Sequence, residues 1–216
     1  MGYIMKQPLI GYYAYWVFLT YMSILAAGLG IYFAYDGNLR NAILCMIASG
    51  ICDTFDGRVA STAKRNELQL NFGMQIDAMA DLISFGILPA AIGYAAAKDA
   101  GSFGWVNAVI ASVFVLSALI RLSYFNAVEM EMHHNKGKRT YFEGLPTTSV
   151  AVLVPVSYAF MNIIGKPFMP FYNFLLVVIA IFFIVRIRIP KPSMRAQIIM
   201  CIVGIPVILY ILFTGV

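Results

Sequence analysis

The sequence predicts an all-α, polytopic membrane protein, and three observations carry that prediction. Of the 216 residues, 61% are hydrophobic and only 12% charged, with a mean hydropathy of +0.81. Soluble domains hold about 25% charged residues and could not cover so much apolar surface. Apolar runs such as 175–185 (LLVVIAIFFIV) are unbroken, whereas outer-membrane β-strands alternate polar and apolar residues with period two. The polar punctuation recurs at intervals that a membrane-crossing helix fills. Together these exclude a soluble enzyme, a secreted disulfide-stapled domain and a disordered segment. At about 20 residues per span, about six to eight helices fit, and the pattern resolves into seven.

The expected spans are 11–34, 39–60, 73–97, 103–128, 146–164, 169–186 and 196–215. The first opens on Tyr12, Tyr13, Tyr15 and Trp16, an aromatic set suited to a membrane interface. Asp36-Gly37-Asn38 separates it from the second. A polar insertion, 62–72, precedes the third and is long enough for a short amphipathic cytoplasmic helix. Lys98-Asp99-Ala100-Gly101, Gly165-Lys166-Pro167 and Pro190-Lys191-Pro192 punctuate the later spans. The connections are short, so residues 1–216 are expected to form one domain. The N-terminus lacks the charged, apolar and cleavage regions of a secretory signal, so the first span is expected to be retained. Cys45, Cys52 and Cys201 are odd in number, lack metal-ligand spacing and lie in apolar stretches, where they read as fillers.

Charge sets the expected orientation. Alternating spans place Lys6, Arg58, Lys64, Arg65, Lys136, Lys138, Arg139, Arg186, Arg188, Lys191 and Arg195 on one side, and only Arg40, Lys98 and Lys166 on the other. Lys and Arg accumulate on the cytoplasmic face. The N-terminus is therefore expected to be cytoplasmic, in the cell membrane. The net charge of +5 fits a basic face beside anionic headgroups and requires no nucleic acid. His133 and His134 are adjacent and cannot face together on a helix, so they read as loop residues.

The acidic residues carry the functional signal. Four of the ten Asp and Glu residues, Asp53, Asp56, Asp77 and Asp81, lie in one stretch at the cytoplasmic ends of spans 2 and 3. A carboxylate at mid-bilayer costs about 2.5–3.5 kcal/mol, and less near the interface. Their spacings, i,i+3 and i,i+4, place each pair on one helix face. A short loop makes the two helices antiparallel neighbours, so all four carboxylates can converge. Such an all-oxygen set suits Mg²⁺, Mn²⁺ or Ca²⁺, and two ions about 4 Å apart can share it. Gly57 and Gly73 flank the aspartates, where each serves either close ligand approach or helix packing.

The stretch D53-T-F-D56-G57-R-V-A60-S61, followed by G73-M-Q-I-D77-A-M-A-D81, resembles the signature of the CDP-alcohol phosphotransferases, D-x-x-D-G-x-x-A-R…G-x-x-x-D-x-x-x-D. Seven of its eight fixed positions agree. Ser61 stands in place of the signature Arg, and the gap before Gly73 is longer than usual. Residues 72–90, 121–130 and 141–155 further resemble the corresponding stretches of bacterial and archaeal phosphatidylserine synthases.

The resemblance implies displacement of CMP from CDP-diacylglycerol by an alcohol, with L-serine the indicated acceptor. It makes Asp53, Asp56, Asp77 and Asp81 the metal ligands, with Asp81 also the catalytic base. It places the nucleotide along Asp53, Asp56, Gly57, Ala60, Ser61 and Gly73, with Lys64 or Arg65 substituting for the missing Arg at the diphosphate. It also implies a homodimer embedded in membrane lipids. Serine's carboxylate calls for a cation, and Arg121 is the one basic residue deep in a span; its other reading is electrostatic balance for the aspartates. Asn126, Tyr124 and Ser84 add hydrogen-bonding groups. Tyr141, Glu143 and the segment 144–148 are expected to wall the pocket. Two alternatives stay open: another acceptor, such as glycerol 3-phosphate or an inositol phosphate, and a divalent-cation transporter.

Overall fold

The computed structural model describes residues 9–99, 101, 104–134, 141–190 and 194–213. Eight α-helices account for most of them: α1 (Tyr15–Tyr35), α2 (Leu39–Ser61), α3 (Glu67–Asp81), α4 (Leu88–Asp99), α5 (Trp105–His134), α6 (Val150–Ile164), α7 (Phe168–Ile184) and α8 (Met194–Phe213). A π-helical segment, Leu82–Ile87, joins α3 to α4 without a break. The described residues thus make seven helical rods, as the polar punctuation predicts. Among the described residues, four stretches are long and apolar enough to cross a membrane: Tyr15–Tyr35, Glu67–Lys98, Trp105–Met132 and Thr147–Ile164. The chain is a polytopic membrane bundle.

Three features depart from the sequence expectation. The third rod begins at Glu67, not at 73. Asn66 accepts from the Gln69 backbone N–H at 2.8 Å, and the Gln69 side chain accepts from the Asn66 N–H at 3.1 Å. This capping box starts the helix a turn and a half early, so half of the 62–72 insertion belongs to the rod itself. Trp16 is buried against Tyr12 rather than joining exposed Tyr13 and Tyr15 in an interfacial belt. A short antiparallel ribbon, β1 (Tyr141–Glu143) with β2 (Arg188–Pro190), ties the approach to α6 to the segment after α7. Three-residue strands carry too little alternation to be read from sequence.

The ribbon continues into a tight dock. The Gly144 N–H donates to the Ile187 carbonyl at 2.8 Å, and the Leu145 N–H to that of Phe182 at 3.2 Å. Gly144 sits at φ +78°, and a Cβ there would meet three backbone carbonyls at 3.3 Å. Only glycine fits this left-handed, crowded position comfortably.

The core fills the centre of the bundle, with Ile43, Met46, Phe85, Leu88, Ile92, Phe114, Tyr172 and Leu176 buried. Several buried hydroxyl groups are paired, as a water-poor interior favours. The Tyr172 hydroxyl donates to the Pro89 carbonyl at 2.8 Å. Ser23, Ser49 and Ser84, from α1, α2 and the π segment, form a hydroxyl triangle with sides of 2.6, 2.7 and 3.3 Å.

The two ends of the bundle differ in charge. Arg58, Lys64, Arg65 and Arg186 cluster with the helix ends of the aspartate side, and Arg40, Lys98 and Lys166 lie on the other. Lys6, Lys136, Lys138, Arg139 and Lys191 lie outside the described residues, as do the side chains of His133, His134, Tyr141, Glu143, Arg188, Arg195 and Cys201. Arg40 has a structural task. Its Nε donates to the Ile211 carbonyl at 2.9 Å and its Nη2 to that of Leu212, closing the C-terminus of α8. A cation there satisfies orphan carbonyls and the helix dipole together. Arg40→Ala is expected to destabilise the detergent-solubilised protein by about 1 kcal/mol, read as a lower Tm, while divalent-cation affinity stays unchanged.

Candidate metal and active site

The turn at Thr62–Asn66 leads from α2 into α3, and the aspartates of the two helices meet. One carboxylate oxygen from each of Asp53, Asp56 and Asp77 lies within 4.8 Å of the others. The Asp53 carboxyl contacts that of Asp81, and the Asp56 carboxyl that of Asp77. All four predicted ligands are therefore brought together. Asp56 is the most enclosed, at 6% exposure. Four carboxylates this close repel strongly in a low-dielectric interface, and an all-oxygen donor set of this size fits hard divalent cations. When bound, such ions would supply charge neutralisation for a phosphorylated ligand.

Two threonines hold the cluster from other helices. Thr20 of α1 donates to Asp56 Oδ2 at 3.2 Å. Thr147, in the 3₁₀ turn Thr147–Ser149 before α6, is buried and donates to Asp81 Oδ2 at 3.3 Å. Sequence reasoning missed Thr20, which sits in an apolar helix with no motif around it. Thr147 was visible only as part of a pocket wall. The π segment begins directly after Asp81. Its wider turn shifts the helical register, as π-bulges at functional sites commonly do. The aspartate face upstream thereby gives way to the core-facing Phe85, Leu88 and Ile92 downstream.

The expected nucleotide positions divide. Gly57 is exposed, and a Cβ there would touch nothing within 4 Å, so its surface is open to a ligand. Ala60 is half-buried one turn on, and Lys64 is exposed. The Ser61 hydroxyl donates back to the Arg58 carbonyl at 2.7 Å and so closes its own helix. Gly73 is not open. A Cβ there would lie 3.0 Å from Arg65 Nη1 and 3.5 Å from the Trp16 ring.

The expected serine-binding residues divide too. Arg121 is buried at 7% exposure, between the rings of Phe125 and Phe183, each 5.8 Å from its guanidinium carbon. It lines a cleft with Tyr124, Phe125, Phe183 and Arg186. Arg186 Nη2 donates to the Tyr124 hydroxyl at 3.2 Å. Sequence reasoning had counted Arg186 only as a loop charge. Asn126 is half-buried and does not line this cleft. Ser84 is fully buried in the hydroxyl triangle and is not brought to Arg121. The cleft and the carboxylates are connected through the chain. The end of α7 that lines the cleft also holds Gly144 and Leu145, two to three residues before Thr147 reaches Asp81.

Second-layer hydrogen bonds orient metal ligands, and losing them typically lowers affinity tenfold or more. Thr20→Val and Thr147→Val are each expected to weaken Mn²⁺ binding about tenfold in calorimetry while leaving Tm close to wild type.

Comparison with known proteins agrees with this geometry. The CDP-alcohol phosphatidyltransferase profile matches residues 17–214. The chain is 32% identical over 140 residues to an archaetidylserine synthase of Methanothermobacter thermautotrophicus, covering 65% of this chain and 55% of that protein. It is 40% identical over 116 residues to a CDP-diacylglycerol–serine O-phosphatidyltransferase of Saccharomyces cerevisiae, covering 52% and 40%. A protein of the same name from Helicobacter pylori is 30% identical over 148 residues, covering 68% and 58%. The chain thus spans about half the length of the curated relatives it matches. With seven of eight signature positions present and their carboxylates gathered into one cluster, the chain belongs to the CDP-alcohol phosphatidyltransferase family.

Proposed function

We propose that the chain transfers a phosphatidyl group from CDP-diacylglycerol to the hydroxyl of L-serine and releases CMP. The carboxylate cluster carries this reading, because the four signature aspartates from α2 and α3 form one oxygen-lined site. The serine acceptor is supported by the relatives, whose names share serine.

The chemistry then falls to named residues. Asp53, Asp56, Asp77 and Asp81 would hold Mg²⁺ or Mn²⁺, with Ca²⁺ the third candidate, and the bound charge would neutralise the donor's diphosphate. Asp81, one oxygen occupied by Thr147, takes the proton of the serine hydroxyl. The serine oxygen attacks the lipid-side phosphorus, the bond from that phosphorus to the CMP oxygen breaks, and CMP leaves as the anion. Arg121 receives the serine carboxylate at the cleft, with Arg186 and Tyr124 beside it. The exposed face at Gly57 and Ala60 takes the cytidine. The site lies at one end of the bundle, where soluble serine and CMP meet the lipid donor. We place that end at the cytoplasmic face of the cell membrane, on the strength of the Lys/Arg excess there. We read residues 1–216 as one catalytic unit that works as a homodimer among membrane lipids. A cation carrier is less well supported, since carriers place their sites near the midplane, between repeated halves.

The test is CMP release by purified protein with CDP-diacylglycerol, Mn²⁺ or Mg²⁺, and a panel of L-serine, glycerol 3-phosphate and inositol phosphate. Release dependent on both serine and metal is expected; release only with another alcohol would overturn the acceptor, and no release with any would overturn the activity. Asp81→Asn is expected to lower kcat by about a hundredfold or more. Arg121→Ala is expected to raise KM for serine by about tenfold with little change for the CDP-lipid; equal changes in both would return Arg121 to charge balance.

A further inference from the structure

We infer that Arg65 is the guanidinium that grips the donor's diphosphate, the task for which Ser61 is unsuited. The inference rests on the reaction proposed above and assigns a specificity-determining residue to its donor site.

Position alone sets Arg65 apart from the neighbouring cations. Its Nη1 lies 3.0 Å from where a Gly73 Cβ would stand, so the guanidinium occupies the notch that the glycine leaves. Gly73 is one helical turn before Asp77 on the same face of α3. Arg65 therefore lies against the stretch of α3 one turn before Asp77. Its guanidinium carbon is 5.4 Å from the Trp16 ring centroid, and Trp16 is itself buried. A ring beneath the guanidinium fixes its plane and leaves its N–H edge to point at a ligand.

Arg65 is also held without being consumed. Its Nε is buried and has no hydrogen-bond partner among the described residues. A buried guanidinium nitrogen without an acceptor is costly, and a bidentate oxyanion satisfies it. Phosphate oxygens match that fork geometry. Lys64 is exposed, and the Ser61 hydroxyl is spent on its own helix. The chain has thus moved the cation from the helix that carries Asp56 to the turn before α3. The longer gap before Gly73 supplies the reach. Gly73 keeps its lack of a side chain because the guanidinium needs the room.

Calorimetric titration of CDP into the purified, Mn²⁺-loaded protein tests this, with Mn²⁺ affinity measured separately on each variant. Arg65→Gln is expected to weaken CDP binding at least tenfold while leaving Mn²⁺ affinity unchanged, and Arg65→Lys to recover part of the loss. Gly73→Ala, which keeps the charge but fills the notch, is expected to weaken CDP in the same way. Undiminished CDP binding by Arg65→Gln would overturn the assignment and leave the proposed reaction standing. Loss of Mn²⁺ affinity in Arg65→Gln would overturn it in favour of a scaffolding role. Failure of the wild-type protein to bind CDP would overturn the proposed reaction, and this assignment with it.

Discussion

Four like charges held together at the edge of a membrane are the constraint on which the rest of the molecule depends. Each carboxylate loses hydration there, and each neighbour adds repulsion. The fold nonetheless draws Asp53, Asp56, Asp77 and Asp81 into contact. An arrangement of that kind is sustained when a multivalent cation converts repulsion into shared coordination. In the proposed reaction, catalysis and folding would draw on the same interaction, because ions bound there would neutralise the diphosphate and also join α2 to α3.

The surrounding helices restrain that cluster in layers. At its rim, Thr20 and Thr147 fix one oxygen each of Asp56 and Asp81. One turn deeper, the triangle of Ser23, Ser49 and Ser84 ties α1, α2 and the π segment with hydroxyls in place of charges. Below that the packing is mostly apolar, around Ile43, Met46, Leu88 and Ile92. The polar seam thus fades from carboxylate to hydroxyl to hydrocarbon with depth, which follows the rising cost of burying each group. On the far side, the ribbon and the Gly144 dock brace the segment that brings Thr147 to the site. The cleft of Arg121 and Arg186 opens from that same brace.

Much of this was legible in the sequence, for identifiable reasons. Long apolar runs and their punctuation revealed the seven rods, because a bilayer imposes length and polarity together. The aspartate spacings revealed the cluster, because a helix places i,i+3 and i,i+4 on one face. The early start of the third rod was readable from Asn66 and Gln69 as a capping box, but was masked by the polar composition around it. Ser84 shows the opposite failure. A serine in an apolar helix looks the same whether it faces a ligand or two other serines, and only tertiary packing distinguishes them. The same holds for Thr20, and for Trp16, whose ring lies beneath Arg65 rather than among headgroups. The π segment has no sequence signature, since it records how two faces of one rod must be offset to meet different neighbours.

The central claim is that the gathered carboxylates are a cation site. Electron paramagnetic resonance of Mn²⁺ titrated into the purified protein tests it most directly. The account predicts saturable, tight Mn²⁺ binding that Asp77→Asn weakens by at least tenfold, with α-helical content retained. Mn²⁺ binding of equal affinity in wild type and Asp77→Asn would contradict it.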